Sequence, residues 1–124
     1  MTFEALTEIA RKTLNPRALS SHSEAGGVAA ALLTEAGNVY TGVCIDTPCG
    51  MGFCAEHAAA AAMVTAGENR VVKIVAVRRN GEIIPPCGKC REFLCQLHDD
   101  NHLCRVRLAD KVLTLDDLLP ERWV

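Results

Sequence analysis

Cys54-Ala55-Glu56 and Pro86-Cys87-Gly88-Lys89-Cys90, with 32 residues between Cys54 and Cys87, are the parts of this sequence best equipped for chemistry. Thiolates are soft ligands for zinc; three with an open fourth position describe a catalytic site, and four describe a closed structural one. Cys87 and Cys90 stand three residues apart, the spacing at which an N-cap side chain and a first-turn side chain meet at a helix start. A helix N-terminus also offers partial positive charge and free N–H groups, which favour thiolates. Glu56, two residues beyond a candidate ligand, is placed to contact a metal-activated water and to act as general acid and base.

Those residues need helices behind them, and the pattern supplies helices. Phe53 to Ala66 runs through five consecutive alanines and stops at Gly67. It reads as a helix apolar on nearly every face, hence a buried one. Beyond Cys90, Phe93, Leu94 and Leu97 share its helical face, so a second helix opens at the Cys-Gly-Lys-Cys motif. A third, amphipathic helix spans Thr2 to Asn15, and Thr114 to Asp117 has the form of a capping box. Val28–Leu33 and Val39–Cys44 read as a hairpin, Val71–Val77 as a strand covered on both sides before an Asn80-Gly81 turn, and Leu103–Leu108 as a further strand. Strands alternating with helices predict a three-layer α/β/α sandwich with a mixed, about five-stranded central sheet.

At 124 residues there is room for one domain, expected to span 1–124. Thirteen basic and fifteen acidic side chains give a formal charge of −2, and only 4% of residues are aromatic. A nucleic-acid platform needs a cationic groove and stacking rings, so none is expected. The longest apolar run, Ala58 to Val64, falls far short of the roughly 20 residues that cross a bilayer, and no signal pattern opens the chain. A cytoplasmic protein is expected, in which seven cysteines serve as ligands or packing groups and need no disulfide.

A ligand-x-Glu followed by Pro-Cys-x-x-Cys is the signature of zinc nucleobase deaminases. The sequence resembles the cytidine deaminase superfamily in its three-cysteine variant, and within it the branch of small cytidine deaminases and blasticidin-S deaminases. The resemblance runs from about Val28 onward through Gly42-Val43, Cys54-Ala55-Glu56, Pro86-Cys87-Gly88-Lys89-Cys90-Arg91 and Leu118-Leu119-Pro120. It implies Zn²⁺ on Cys54, Cys87 and Cys90, Glu56 as proton shuttle, the Ala55 backbone N–H on the pyrimidine 2-carbonyl, and a homotetramer. The implied reaction converts the exocyclic amine of a cytosine-type ring to a carbonyl with release of ammonia. The ring would belong to a nucleoside, a free base or a nucleoside-like antibiotic. His57 and Arg91 are candidates to donate hydrogen bonds to the ligand sulfurs, offsetting the charge of three thiolates.

Several positions depart from that branch. Where cytidine deaminases commonly carry Asn-x-Glu to hold ribose hydroxyls, this sequence reads Cys44-Ile45-Asp46. Asp46 remains a candidate acceptor for hydroxyls. A base-covering aromatic is replaced by Gly26, which predicts a wider pocket, and the lone Trp123 is a candidate either to close it or to plug a subunit interface. Two other classes compete. Cys49 as a fourth ligand would make a non-catalytic module with a structural Cys₄ zinc, and Cys87-x-x-Cys90 alone would suit thioredoxin-like redox chemistry. Cys95 and Cys104 read as small core residues, and His22, His98 and His102 as surface or locally bonded groups.

Overall fold

A computed structural model describes all 124 residues. In chain order the elements are α1 (Phe3–Thr13), β1 (Arg17–Ala18), β2 (Glu24–Thr34), β3 (Val39–Asp46), α2 (Ala55–Thr65), β4 (Val71–Arg78), β5 (Ile83–Ile84), α3 (Gly88–Gln96), β6 (Arg105–Arg107), β7 (Val112–Thr114) and α4 (Leu115–Leu118). Short 3₁₀ turns cover Pro48–Gly50 and Asn101–Leu103. Side-chain capping starts two of the helices. Thr2 Oγ1 accepts from Ala5 N at 3.1 Å, and Thr114 with Asp117 closes a capping box on α4.

β2 is the hub of the sheet, antiparallel to β3 on one side and to β4 on the other. β4 continues in parallel to β6, and β6 in antiparallel to β7, so the sheet is mixed as the sequence predicts. The two-residue strands β1 and β5 add to β2 and β4. Neither they nor the three-residue β7 is long enough to leave a period in the sequence.

Alternation along β2 and β4 sends successive residues to opposite cores, which is why both segments read as uniformly apolar. Ala29, Ala31, Leu33, Val75 and Val77 meet Phe3, Leu6 and Ala10 of α1 on one face. On the other face Ala30, Leu32, Ile74 and Ala76 meet Ala59 and Met63 of α2, Leu94 of α3 and Leu115 of α4. The aliphatic composition shows directly in these cores, since Phe3 is the only aromatic ring among the buried residues.

Two sequence expectations are corrected. Helix α2 is not buried all round: Ala55, Glu56, Ala59, Ala60 and Met63 are buried, whereas Ala61, Ala62 and Val64 face outward, because only one side of the helix meets the sheet. The strand expected over Leu103–Leu108 is confined to Arg105–Arg107, because a 3₁₀ turn holds Asn101 inside. Asn101 Oδ1 accepts from Val71 N at 2.8 Å, and its Nδ2 donates to the Asn69 and Leu94 carbonyls at 2.9 Å each. No helix is long and apolar enough to cross a membrane.

Candidate active site and metal centre

Cys54 and Cys87 are the N-caps of α2 and α3, both in extended backbone conformation, and neither thiol makes a capping hydrogen bond. Their sulfurs instead face each other at 3.4 Å. Cys90 stands one turn into α3 and is buried. The three Sγ atoms lie within 4.8 Å of one another. Two features set this convergence. A two-way backbone bridge at 3.0 Å between Ile45 and Phe53 fixes the residue before Cys54 to the end of β3. Gly42 of β3 lets α2 press against the sheet: a Cβ there would come within 2.4 Å of Ala59 N.

The electrostatics of the cluster are those of crowded acids. Burial pushes the Glu56 carboxyl above its ordinary range, against the pull of its own backbone N–H; only 4% of the residue is exposed. Burial, with the charge of Glu56 behind it, drives the Cys90 thiol strongly upward. Cys54 is raised by burial and by its hydrogen bond with Cys87. Cys87 alone is lowered: burial opposes its ionisation, but the Cys90 backbone N–H and the neighbouring thiols outweigh it. A helix start favours a thiolate here at one of the three sulfurs only.

This donor set suits zinc. Sulfurs at about 2.3 Å from a tetrahedral ion lie about 3.8 Å apart, close to the spacing observed between Cys54 and Cys87. A divalent cation also supplies the positive charge that the cluster lacks. Three cysteines leave a fourth position open, and Cys49 does not fill it. That residue sits exposed in the Pro48–Gly50 turn at φ +61°, outside the three-sulfur group.

A cleft of about 700 Å³ opens onto Cys54 and Cys87. Ala55, Glu56 and Asp46 line it. Cys44 lines it too, its Sγ accepting from Val28 N at 3.3 Å and donating to Asp46 Oδ2 at 3.7 Å. Gly27, rather than Gly26, forms part of the wall. Gly26 holds φ +82°, and a Cβ there would run into the Asn15 carbonyl, so no larger residue fits that backbone.

Three candidates lie elsewhere. The His57 ring is sandwiched between Phe53 and Phe93, with centroids 5.1 and 4.5 Å away, and its buried Nδ1 has no hydrogen-bond partner, a sulfur included. Arg91 donates to the Pro86 and Leu118 carbonyls at 2.9 Å each, bracing the Cys87 loop against α4 rather than bonding a thiol. Trp123 lies outside the cleft, 83% exposed, and its backbone N donates to Glu92 Oε1 at 2.8 Å. Cys95 packs at the core edge and Cys104 is buried within it. His98 and His102 bond locally, to Asp100 N and the Asp99 carbonyl. Sequence reasoning passed over Arg78 and Arg79, which also line the cleft; an arginine pair directly after the apolar run Ile74–Val77 was the available signal.

No family model matches the chain. A cytidine deaminase of Mycobacterium tuberculosis is 33% identical over 97 residues, which span 77% of this chain and 71% of that protein. A blasticidin-S deaminase of Bacillus cereus is 29% identical over 107 residues, spanning 77% and 76%. The crystal structure of the M. tuberculosis cytidine deaminase superposes with a TM-score of 0.85 at 26% identity, covering 100% of this chain and 98% of that one. That of a Burkholderia pseudomallei cytidine deaminase gives 0.79 at 28% identity, covering 99% and 100%.

Proposed function

The chain belongs to the cytidine deaminase family, a family of zinc aminohydrolases, and from that premise we propose that it hydrolyses the exocyclic amine of a cytosine-type ring. The observation that carries this reading is the meeting of three cysteine sulfurs within 4.8 Å beside a buried glutamate. In this reading Cys54, Cys87 and Cys90 hold the zinc, and the whole chain acts as one domain. Zinc bound there supplies a Lewis acid that makes water nucleophilic near neutral pH.

The chain's own residues do the rest. The Glu56 carboxylate takes a proton from the attacking water and delivers it to ring N3, which makes C4 electrophilic. It then takes the proton of the hydroxyl newly formed on C4 and passes it to the amine nitrogen, so that ammonia leaves as the carbonyl forms. Burial supports this role, because a carboxyl held above its ordinary range takes up a proton more readily than an exposed one and can pass it on. The Ala55 N–H, in the first turn of α2, is unpaired within the helix and free to bind the ring 2-carbonyl. Asp46, at the end of β3, accepts from hydroxyls of the substrate.

The substrate is a small molecule, and the protein acts as a homo-oligomer, a tetramer on the family pattern. Outward-facing Val64 on α2, exposed Met51 and exposed Trp123 support that assembly. Trp123 lies outside the cleft of its own chain, so any contact it makes with substrate runs across a subunit boundary. Seven free thiols suit a reducing, cytoplasmic setting. Ammonia release from zinc-loaded protein, with cytosine, isocytosine, cytidine, deoxycytidine and blasticidin S in turn, tests the reaction. Turnover of at least one is expected, and turnover of none overturns it.

A further inference from the structure

The mouth of the cleft carries a charge pattern that deamination itself does not require. Resting on the reading above, we propose that the substrate bears an anionic group, a phosphate or a carboxylate, and that Arg78 and Arg79 bind it. These two are the only cationic side chains lining the cleft. Of the carboxylates lining it, Glu56 belongs to α2 and Asp46 ends β3, whereas Arg78 ends β4 with Arg79 next to it in the following turn, and β2 runs between the two strands. A substrate lying across β2 therefore meets a hydroxyl acceptor on one side and guanidinium donors on the other.

Both arginines are available to a ligand. Arg79 forms no ion pair, and its guanidinium lies over the cleft wall, since a Cβ built on Gly27 would be 3.3 Å from its Nη2. Arg78 has one partner, Glu82, at 3.8 Å with both side chains more than half exposed, a contact too weakly held to compete with a dianion. The turn that carries them is fixed. Arg78 N donates to Glu82 O at 2.9 Å, Gly81 N donates to Arg78 O at 2.7 Å, and Arg11 of α1 reaches over to donate from Nε to Gly81 O at 3.1 Å. Guanidinium forks match phosphate and carboxylate oxygens, whereas a neutral nucleoside gives them no charged partner.

The test compares kcat/KM, read by ammonia release, for cytidine, cytidine 5′-monophosphate and cytidine 5′-carboxylate. It also compares calorimetric binding of uridine and uridine 5′-monophosphate. The zinc-loaded full chain, Arg79→Gln and the double variant Arg78→Gln/Arg79→Gln are measured in parallel. We expect one anionic substrate to exceed cytidine by at least about tenfold, and which one does so separates phosphate from carboxylate. We further expect the anionic-to-neutral ratio to fall about tenfold to a hundredfold in the double variant, and to shrink with added salt. A natural protein that favours cytidine, or a double variant with an unchanged ratio, overturns the proposal. If no substrate turns over, arginine-dependent preference for uridine 5′-monophosphate over uridine upholds the anion site and discards deamination; equal binding overturns both.

Discussion

Gly42 and Ala59 touch backbone to backbone: a Cβ on Gly42 would stand 2.4 Å from Ala59 N and 2.8 Å from Ala55 O. The second contact lies one residue from Cys54, so the approach of α2 to the sheet and the placement of the first thiol are one geometric fact. Gly42→Ala should cost about 3 kcal/mol, the upper end for overpacking, because backbone rather than a flexible side chain must move. Urea denaturation measures it. A loss below about 1 kcal/mol would show that α2 slides freely.

Glu56→Gln should keep the metal and lose the reaction. Glutamine preserves the shape of the buried side chain but cannot shuttle a proton, a function worth about a hundredfold to ten-thousandfold in kcat. Metal analysis is expected to give zinc as in the natural chain, and ammonia release to fall by that factor or more. Full activity in the variant would remove Glu56 from the mechanism.

Cys87→Ala and Cys49→Ser should behave oppositely toward zinc. Cys87 is an exposed member of the three-sulfur group, whereas Cys49 is exposed and outside it. After dialysis against a mild chelator, the Cys87 variant should retain little zinc and the Cys49 variant as much as the natural chain. Neither thiol fills the core, so far-ultraviolet circular dichroism should remain native in both. Zinc loss on changing Cys49 would revive the structural Cys₄ alternative.

Three carboxylates outside the site make stability depend on pH. Glu68 is held low chiefly by the Tyr40 hydroxyl at 2.6 Å, Glu92 by the Trp123 backbone N–H, and Asp117 by the Thr114 backbone N–H. Each folded value lies below the unfolded one, so each contribution is complete above the ordinary carboxylate range near pH 4 and is lost as pH falls through the folded value. Urea midpoints should therefore drop below about pH 5. Glu68→Gln should drop less steeply than the natural chain, and equal slopes would show that its hydrogen bonds to Tyr40 and Asn38 are not maintained in solution.

What the sequence reveals and what it hides follow from the range of each interaction. Cys87-x-x-Cys90 and Cys54-x-Glu56 are legible because their geometry is set within one helical turn, and the capping box at Thr114 for the same reason. The meeting of the two motifs is visible only because each opens a helix. That Asp46 and Arg78 line one cleft from strands on opposite sides of β2 depends on strand order, which no local pattern encodes. Arg91 looks like a solvated first-turn residue until Leu118, 27 positions away, supplies its acceptor. His57 is a polar residue in the sequence and a stacked ring in the fold, because Phe53 and Phe93 come from different elements.

The three sulfurs also differ in when they become neighbours. Cys87 and Cys90 remain a local pair in any conformation of the chain, whereas Cys54, 33 positions from Cys87, joins them only when α2 and α3 have docked. Before the two helices dock, only the Cys87 and Cys90 part of this cluster is together; afterwards all three sulfurs are. Because a ligand stabilises a fold only by its preference for the folded state, Cys54 is the member of the cluster that would tie zinc affinity to the docking of α2 beside α3.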